Sequence, residues 1–335
     1  MPKNEREDYI FATARVRSVE KNLLTREKIT KMIDSKTADE ALKVLSECHY
    51  SDENAEVSGG DFEILLVKAQ KELNEFIKKI SPNPETFDLF LYVYDYHNLK
   101  VLLKSEFLQS DDSKLLVDGG TIPVSKLKIL IHERNYLPLT ENMKKALVEA
   151  LDTFSRTNDP QQIDIIMDRA CFEDMIKCAK DSESKFVTGY VKTLIDVTNI
   201  KSFVRVRKMG KAWDFFTKIF IGGGSIAQKL FIASFDEPLE QFGEKLSSYG
   251  YEKVISSGAE SLKVTGKFTE LERQCDNRLI EYVKSAKYIS FGIEPLVGYM
   301  VAKDSEIKTV RIIMSGKIAD LSADKIKERL RDTYV

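Results

Sequence analysis

The sequence predicts an all-α protein assembled from three similar modules of about a hundred residues each. Apolar residues recur at helical spacing almost everywhere, and alternation of apolar and polar side chains over strand lengths is rare. Only eight prolines and sixteen glycines punctuate the 335 residues, so helix breakers are scarce. Two unrelated motifs also return with nearly one period. Asp95-x-x-Asn98-Leu99-Lys100-x-Leu102-Leu103-Lys104 recurs as Asp196-x-x-Asn199-Ile200-Lys201-x-Phe203-Val204-Arg205, and a weaker copy reads Glu306-Ile307-Lys308-x-Val310-Arg311. Asn98, Asn199 and Glu306 therefore stand 101 and 107 residues apart. Gly119-Gly120-Thr121-Ile122 returns 104 residues later as Gly223-Gly224-Ser225-Ile226. A repeat of this length is domain-sized, which implies three lobes around a shared axis or in a row.

Taken in order, the first clear helix carries Ala38, Ala41, Leu42 and Leu45, and Thr37 with Glu40 three residues on forms a capping box at its start. The Asp95 motif follows, with Asp95, Asn98 and Leu102 on one helix side and Leu99 and Leu103 on the adjoining apolar ridge. Gly119-Gly120 then reads as a joint. Met143, Ala146, Leu147, Ala150, Leu151 and Phe154 make one continuous apolar stripe. Asn158-Asp159-Pro160 starts the next helix, with proline in the first turn, where a missing amide costs little. Asp236-Glu237-Pro238 repeats the device before Leu239, Phe242 and Leu246. Ser322 is placed to cap a last helix bearing Ile326 and Leu330, with Asp324 favourable in its first turn. Boundaries at the glycine joints give modules at residues 1-118, 119-222 and 223-335. A copy of the joint near Arg17 is expected by offset, but no glycine pair stands there.

The balance of charge narrows the partners. Lys plus Arg number 51 against 53 for Asp plus Glu, a net charge of −2, so no global field draws the chain to nucleic acid or to an anionic bilayer. The apolar runs are interrupted before they could span hydrocarbon, as by Lys218, Gly222 to Gly224 and Lys229. The charged start, from Met1, has no apolar core of a secretory signal, and a cytoplasmic location is expected. Cys48, Cys171, Cys178 and Cys275 are too scattered for a disulfide framework and read as reduced core residues; with His97 and His132 they complete no zinc spacing.

Recognised chemistry is sparse. Gly222-Gly223-Gly224-Ser225 lacks the Gly-Lys-Ser/Thr ending of a phosphate-binding loop and follows a helical pattern, so it reads as a helix stop and turn. Ser315-Gly316-Lys317 reads as a turn, and Asp111-Asp112 as a solvated loop. No nucleophile elbow, His-Glu-x-x-His pair or twin-carboxylate site is present. Asn98 and Asn199 are expected at the edge of a core, each tying its helix to neighbouring backbone. Lys100 and Lys201 are expected to hold their ammonium groups in water, open to a partner's acidic loops. A cytosolic enzyme or an adaptor, binding a phosphate-bearing ligand or a peptide at the glycine joints, is the alternative reading from residues alone.

Asp95-Tyr96-His97-Asn98-Leu99-Lys100 resembles the signature of a known family, the C subunits of V-type and archaeal-type rotary ATPases, whose counterpart in the eukaryotic vacuolar enzymes is the d subunit. The stretch from Gly292-Ile293-Glu294-Pro295 through Tyr299 to Lys303, continuing to Glu306, Lys308, Arg311, Gly316-Lys317 and Glu328-Arg329-Leu330-Arg331, is similar to it as well. The likeness runs from about Tyr9 to the C-terminus. It departs at Ser305, where an asparagine or another amide is expected. The resemblance implies a funnel of three helical lobes with pseudo-threefold symmetry, on the cytoplasmic face of the membrane. It implies a non-catalytic rotor component with no cofactor and no metal. Its partners would be the proteolipid rotor ring, the D and F subunits of the central shaft and, indirectly, the A and B head, with no nucleic acid and with the membrane reached only through the ring. Family motif or interface residues would be Asp95, Asn98, Lys100, Asp196, Asn199, Lys201, Glu294, Glu306, Lys308 and Arg311.

Overall fold

The computed structural model describes residues 6–48, 50 and 58–334; the first five residues of the charged start lie outside them. Sixteen α-helices and several short 3-10 turns are formed among the described residues, with no strand. The helices are α1 (Ile10–Glu20), α2 (Arg26–Asp34), α3 (Ala38–Ser46), α4 (Glu63–Ile80), α5 (Tyr92–Leu108), α6 (Val124–His132), α7 (Glu141–Thr157) and α8 (Pro160–Asp181). They continue as α9 (Lys185–Lys208), α10 (Trp213–Ile219), α11 (Gln228–Ala233), α12 (Leu239–Lys245), α13 (Glu252–Thr265), α14 (Thr269–Lys284), α15 (Ile293–Ile318) and α16 (Ala323–Lys327). None of the described helices is long and apolar enough to cross a membrane.

The helix starts show how local sequence sets these bounds. Thr37 accepts a hydrogen bond from the Glu40 amide at 3.2 Å, while the Glu40 carboxylate reaches back one residue beyond the box, to the Lys36 amide at 2.7 Å. Asp159 is the N-cap of α8, accepting from the Gln161 amide at 3.0 Å, with Pro160 the first helical residue. Ser322 occupies the N-cap position of α16, but its side chain makes no capping bond. That short helix is held by Ile326, fully buried in the core.

The chain folds into two compact units. Unit 1 contains Asn83–Gln228 and is organised on α8, against which α5, α7, α9 and α10 pack. The stripe on α7 buries Met143, Ala146, Leu147 and Ala150, and its last member Phe154 stacks on Phe107 with ring centroids 4.0 Å apart. Cys171 and Cys178 both lie on α8, Cys171 buried and Cys178 half-buried. All four cysteines are free, and burial pushes the Cys178 thiol up to about 12, which leaves it a poor nucleophile at neutral pH.

Unit 2 joins the chain's two ends, 4–82 with 229–335. Its centre is α15, buried on nearly every side and packed against α1, α2, α3, α4, α14 and α16. Leu24, Ile33, Leu45, Leu66, Val310 and Ile313 belong to one apolar cluster, so early and late segments share a core.

Candidate functional site

The Asp95 motif sits on α5 with both polar members inside the protein, not at a core edge: Asp95 and Asn98 are each 0% exposed. A separation of three residues puts them on one helix face, towards the segment that returns after the helix. Asn98 pairs with the backbone of Val117 as a strand residue would, donating from Nδ2 to its carbonyl at 2.8 Å and accepting its amide on Oδ1 at 2.9 Å. Asp95 accepts the Thr121 amide at 2.9 Å, the Thr121 hydroxyl at 2.7 Å and the Ile122 amide at 3.1 Å. Each of the joint's two glycines has its own reason. Gly119 has φ +128°, closed to ordinary side chains, and a Cβ on Gly120 would stand 2.1 Å from Asp95 Oδ1.

Helix α9 repeats the device. Asn199 donates to the Ile221 carbonyl at 2.8 Å and accepts its amide at 2.9 Å. Asp196 Oδ1 accepts the Ser225 and Ile226 amides at 2.8 and 3.1 Å. Gly223 has φ +94°, and a Cβ on Gly224 would lie 2.3 Å from Asp196 Oδ1. The period shared by the acid–amide pair and the glycine pair thus has one cause, a short buried carboxylate drawn against a loop that must have no side chain there. It also answers the phosphate reading of this joint, since the amides that an anion would need are bonded to the protein's own carboxylate.

The third copy, on α15, exchanges the residues and keeps the task. Glu306 stands at the asparagine position, so a carboxylate that only accepts hydrogen bonds replaces the amide expected at Ser305. Lys303 stands at the aspartate position and donates to Glu306 Oε1 at 2.6 Å, with its ammonium 4.0 Å from the Tyr50 ring centre. Tyr50 donates its hydroxyl to Glu306 Oε1 at 2.6 Å, and the Leu24 amide donates to Oε2. The segment held here is Leu23–Thr25, which precedes α2 just as Gly120–Ile122 precedes α6. Burial, aided by the Glu306 charge, pushes the nearby Tyr299 hydroxyl up to about 12.

A fourth buried carboxylate, missed in the sequence, fastens unit 1. Asp174 on α8 accepts from Tyr96 at 2.7 Å, Thr140 at 2.5 Å and Asn142 at 2.8 Å. Tyr96 belongs to the signature hexapeptide, and Thr140 is the N-cap of α7. Nothing in the spacing of the sequence connects Thr140 or Tyr96 to Asp174.

The basic residues of the motifs lie outside these latches. Lys100 reaches Asp168 at 2.6 Å and its neighbour Lys104 reaches Asp164 at 2.7 Å, both pairs joining α5 to α8. Lys201 is half-buried on α9. Lys308 pairs with Asp304 one turn earlier at 2.7 Å, and Arg311 grips Glu63 of α4 with two nitrogens at 2.8 and 2.5 Å. Glu294 is in the first turn of α15, favoured by the helix dipole, and its carboxylate crowds Gly292, where φ is +141°. Among the described residues no group of three or more His, Cys, Asp or Glu side chains could hold a metal ion. Because the Lys100 pair is partly solvated, Lys100→Ala is expected to lower stability by no more than about 1 kcal/mol, with a smaller loss at high salt, measured by urea denaturation.

Burial raises the Asp95 carboxyl above its ordinary value, and the bonds from Thr121 and Ile122 oppose that rise without cancelling it. A carboxyl with a raised folded-state pKa binds its proton more tightly when folded. Its contribution is therefore fully present below the unfolded value, about 3.9, and is lost as pH climbs through the raised one. Urea midpoints measured across this range are expected to show the advantage of the native chain over Asp95→Ala narrowing as pH rises. An advantage that widens would mean that the hydrogen bonds outweigh burial.

Comparison with known proteins adds a long-range likeness to this geometry. A family model described as ATP synthase (C/AC39) subunit matches residues 12–329. The C subunit of the V-type sodium ATPase of Enterococcus hirae is 24% identical over 319 residues, covering 95% of this chain and 97% of that protein. The C subunit of the A-type ATP synthase of Methanocaldococcus jannaschii is 25% identical, with 96% and 86% covered, and that of Methanosarcina acetivorans is 25% identical, with 96% and 92% covered.

Proposed function

Because the chain belongs to the ATP synthase (C/AC39) subunit family, we propose that it is the non-catalytic central-stalk component of a V/A-type rotary ATPase. In this reading it links the D and F subunits of the shaft to the proteolipid ring on the cytoplasmic side of the membrane, and passes torque between ring and head. The observation that carries the proposal is the family match from residue 12 to residue 329, which spans nearly the whole chain.

The latches support a mechanical task. A body that transmits torque must not yield at its connections, and loops are ordinarily the most yielding parts of a helical protein. Here the returns after α5 and α9 are bound to the helix by hydrogen bonds to the buried side chains of Asp95, Asn98, Asp196 and Asn199. Fully satisfied buried polar groups of this kind fix one arrangement of the chain. Their recurrence on α5, α9 and α15 also supports three helical modules in a pseudo-threefold body. The third module would then be closed by the chain's beginning, since α15 holds Leu24.

The proposal is tested by pulling the tagged full chain from gently solubilised membranes and identifying what accompanies it. Recovery of proteolipid together with shaft and head subunits is expected. Recovery of the chain alone, at low salt and in a detergent that keeps rotary complexes whole, would overturn the rotor reading.

A further inference from the structure

Helix α9 leaves the core of unit 1 in a run of positive charge. From Lys201 to Trp213 the chain carries Lys201, Arg205, Arg207, Lys208 and Lys211 and no acidic residue. The run ends in a fixed turn: the Lys211 amide donates to the Val206 carbonyl at 3.1 Å and the Gly210 amide to the Arg207 carbonyl at 3.0 Å, with Gly210 at φ +65°. This pair of bonds is the Schellman closure of a helix, which sets the direction of the chain beyond it. Every residue from Lys208 to Asp214 is exposed. Two of them are large and apolar, Met209 at 64% and Trp213 at 51% exposure. Trp213 is also the only tryptophan in the protein.

The exposed part of Trp213 and of Met209 is apolar surface left in water at a fixed turn, and the lysines beside them indicate what covers it. Lysines whose stems flank an amphipathic ring suit the boundary of a bilayer, where the ring lies among headgroups and the ammonium groups meet phosphate. Seven exposed residues in succession offer no groove walls to enclose a peptide. We propose that the Lys208–Trp213 turn docks on an anionic phospholipid surface, seating Trp213 and Met209 among the headgroups while Lys208 and Lys211 pair with lipid phosphates. This contact is additional to any made through a proteolipid ring and does not depend on the rotor reading.

The sole tryptophan makes the test direct. The full chain is titrated with vesicles of phosphatidylcholine, with and without phosphatidylglycerol, following co-sedimentation and tryptophan emission. Binding and a blue shift are expected with the anionic vesicles only, reversed by salt. Lys208→Ala with Lys211→Ala is expected to weaken partitioning roughly 30-fold while leaving helical content unchanged. No binding to anionic vesicles overturns the proposal. So does binding with unshifted emission, which places the contact elsewhere, or an equal shift with neutral vesicles, which removes the role of charge. An equal shift with polyglutamate or an oligonucleotide, matched in charge and without vesicles, assigns the turn to an acidic polymer and overturns the lipid assignment.

Discussion

Gly120→Ala is expected to destabilise unit 1 by about 3–5 kcal/mol, far more than is usual for adding one methyl group to a loop. The new Cβ would stand 2.1 Å from Asp95 Oδ1 and 2.8 Å from its Cγ, so either the carboxylate or the loop must move. If the carboxylate moves, the Thr121 and Ile122 amides lose their acceptor; if the loop moves, Asn98 loses Val117 as well. The two residues should therefore be strongly coupled. In an Asp95→Ala background the clash disappears and only the milder approach to the residue 95 amide, at 3.3 Å, remains, so Gly120→Ala should then cost less than about 1 kcal/mol. Gly222→Ala is the control, since its Cβ would meet nothing within 4 Å. Trp213 emission in urea reads unit 1 directly. Costs for Asp95→Ala and Gly120→Ala that simply add would show that the latch is not the reason for the glycine.

This coupling also marks where the sequence was legible. The repeats at Asp95 and Asp196 and at the two glycine pairs can be seen in one dimension, and so can their common period. Their connection cannot, because hydrogen bonds across some twenty to thirty residues leave no spacing rule in a single chain. The amphipathic α7 was legible since one face meets solvent and the stripe stands out against polar neighbours. In α15 the burial of Leu296, Val297, Met300 and Val301 in near succession erases the stripe, and the helix was legible only through the family motif. By offset the first repeat would open near Arg17, where no glycine pair stands. The Glu306 carboxylate holds the Leu24 amide instead, in a segment without glycine. A residue swap that conserves a contact while changing both partners is invisible to motif comparison within one sequence. The capping signals at Thr37 and Asp159 were legible because their chemistry is confined to three or four neighbouring residues.

Glu306→Ala is expected to cost unit 2 about 3–5 kcal/mol, since it strands the Lys303 ammonium in a site where that side chain is only 16% exposed. It also leaves the Tyr50 hydroxyl and the Leu24 amide without their acceptor. Glu306→Gln keeps the shape and one acceptor oxygen but removes the charge facing Lys303, so an intermediate cost is expected. Adding Lys303→Met to Glu306→Gln should then recover stability, because the unpaired charge is the costliest part of the damage. Arg311 provides the comparison on the same helix. Its pair with Glu63 is nearly half exposed on both sides, so Arg311→Ala should cost only about 0.2–1 kcal/mol. Urea midpoints rank the four variants, and limited proteolysis around Leu23–Arg26 reports whether the held segment has come loose. A Glu306→Ala protein as stable as Arg311→Ala, and no more open to protease, would mean that unit 2 is closed by its apolar core alone. The ionised Glu306–Lys303 pair would then contribute specificity of register without net stability, an outcome known for buried pairs. The expected ranking would instead make α15 the element that fastens the beginning of the chain to its end, as α5 and α9 fasten the segments that follow them.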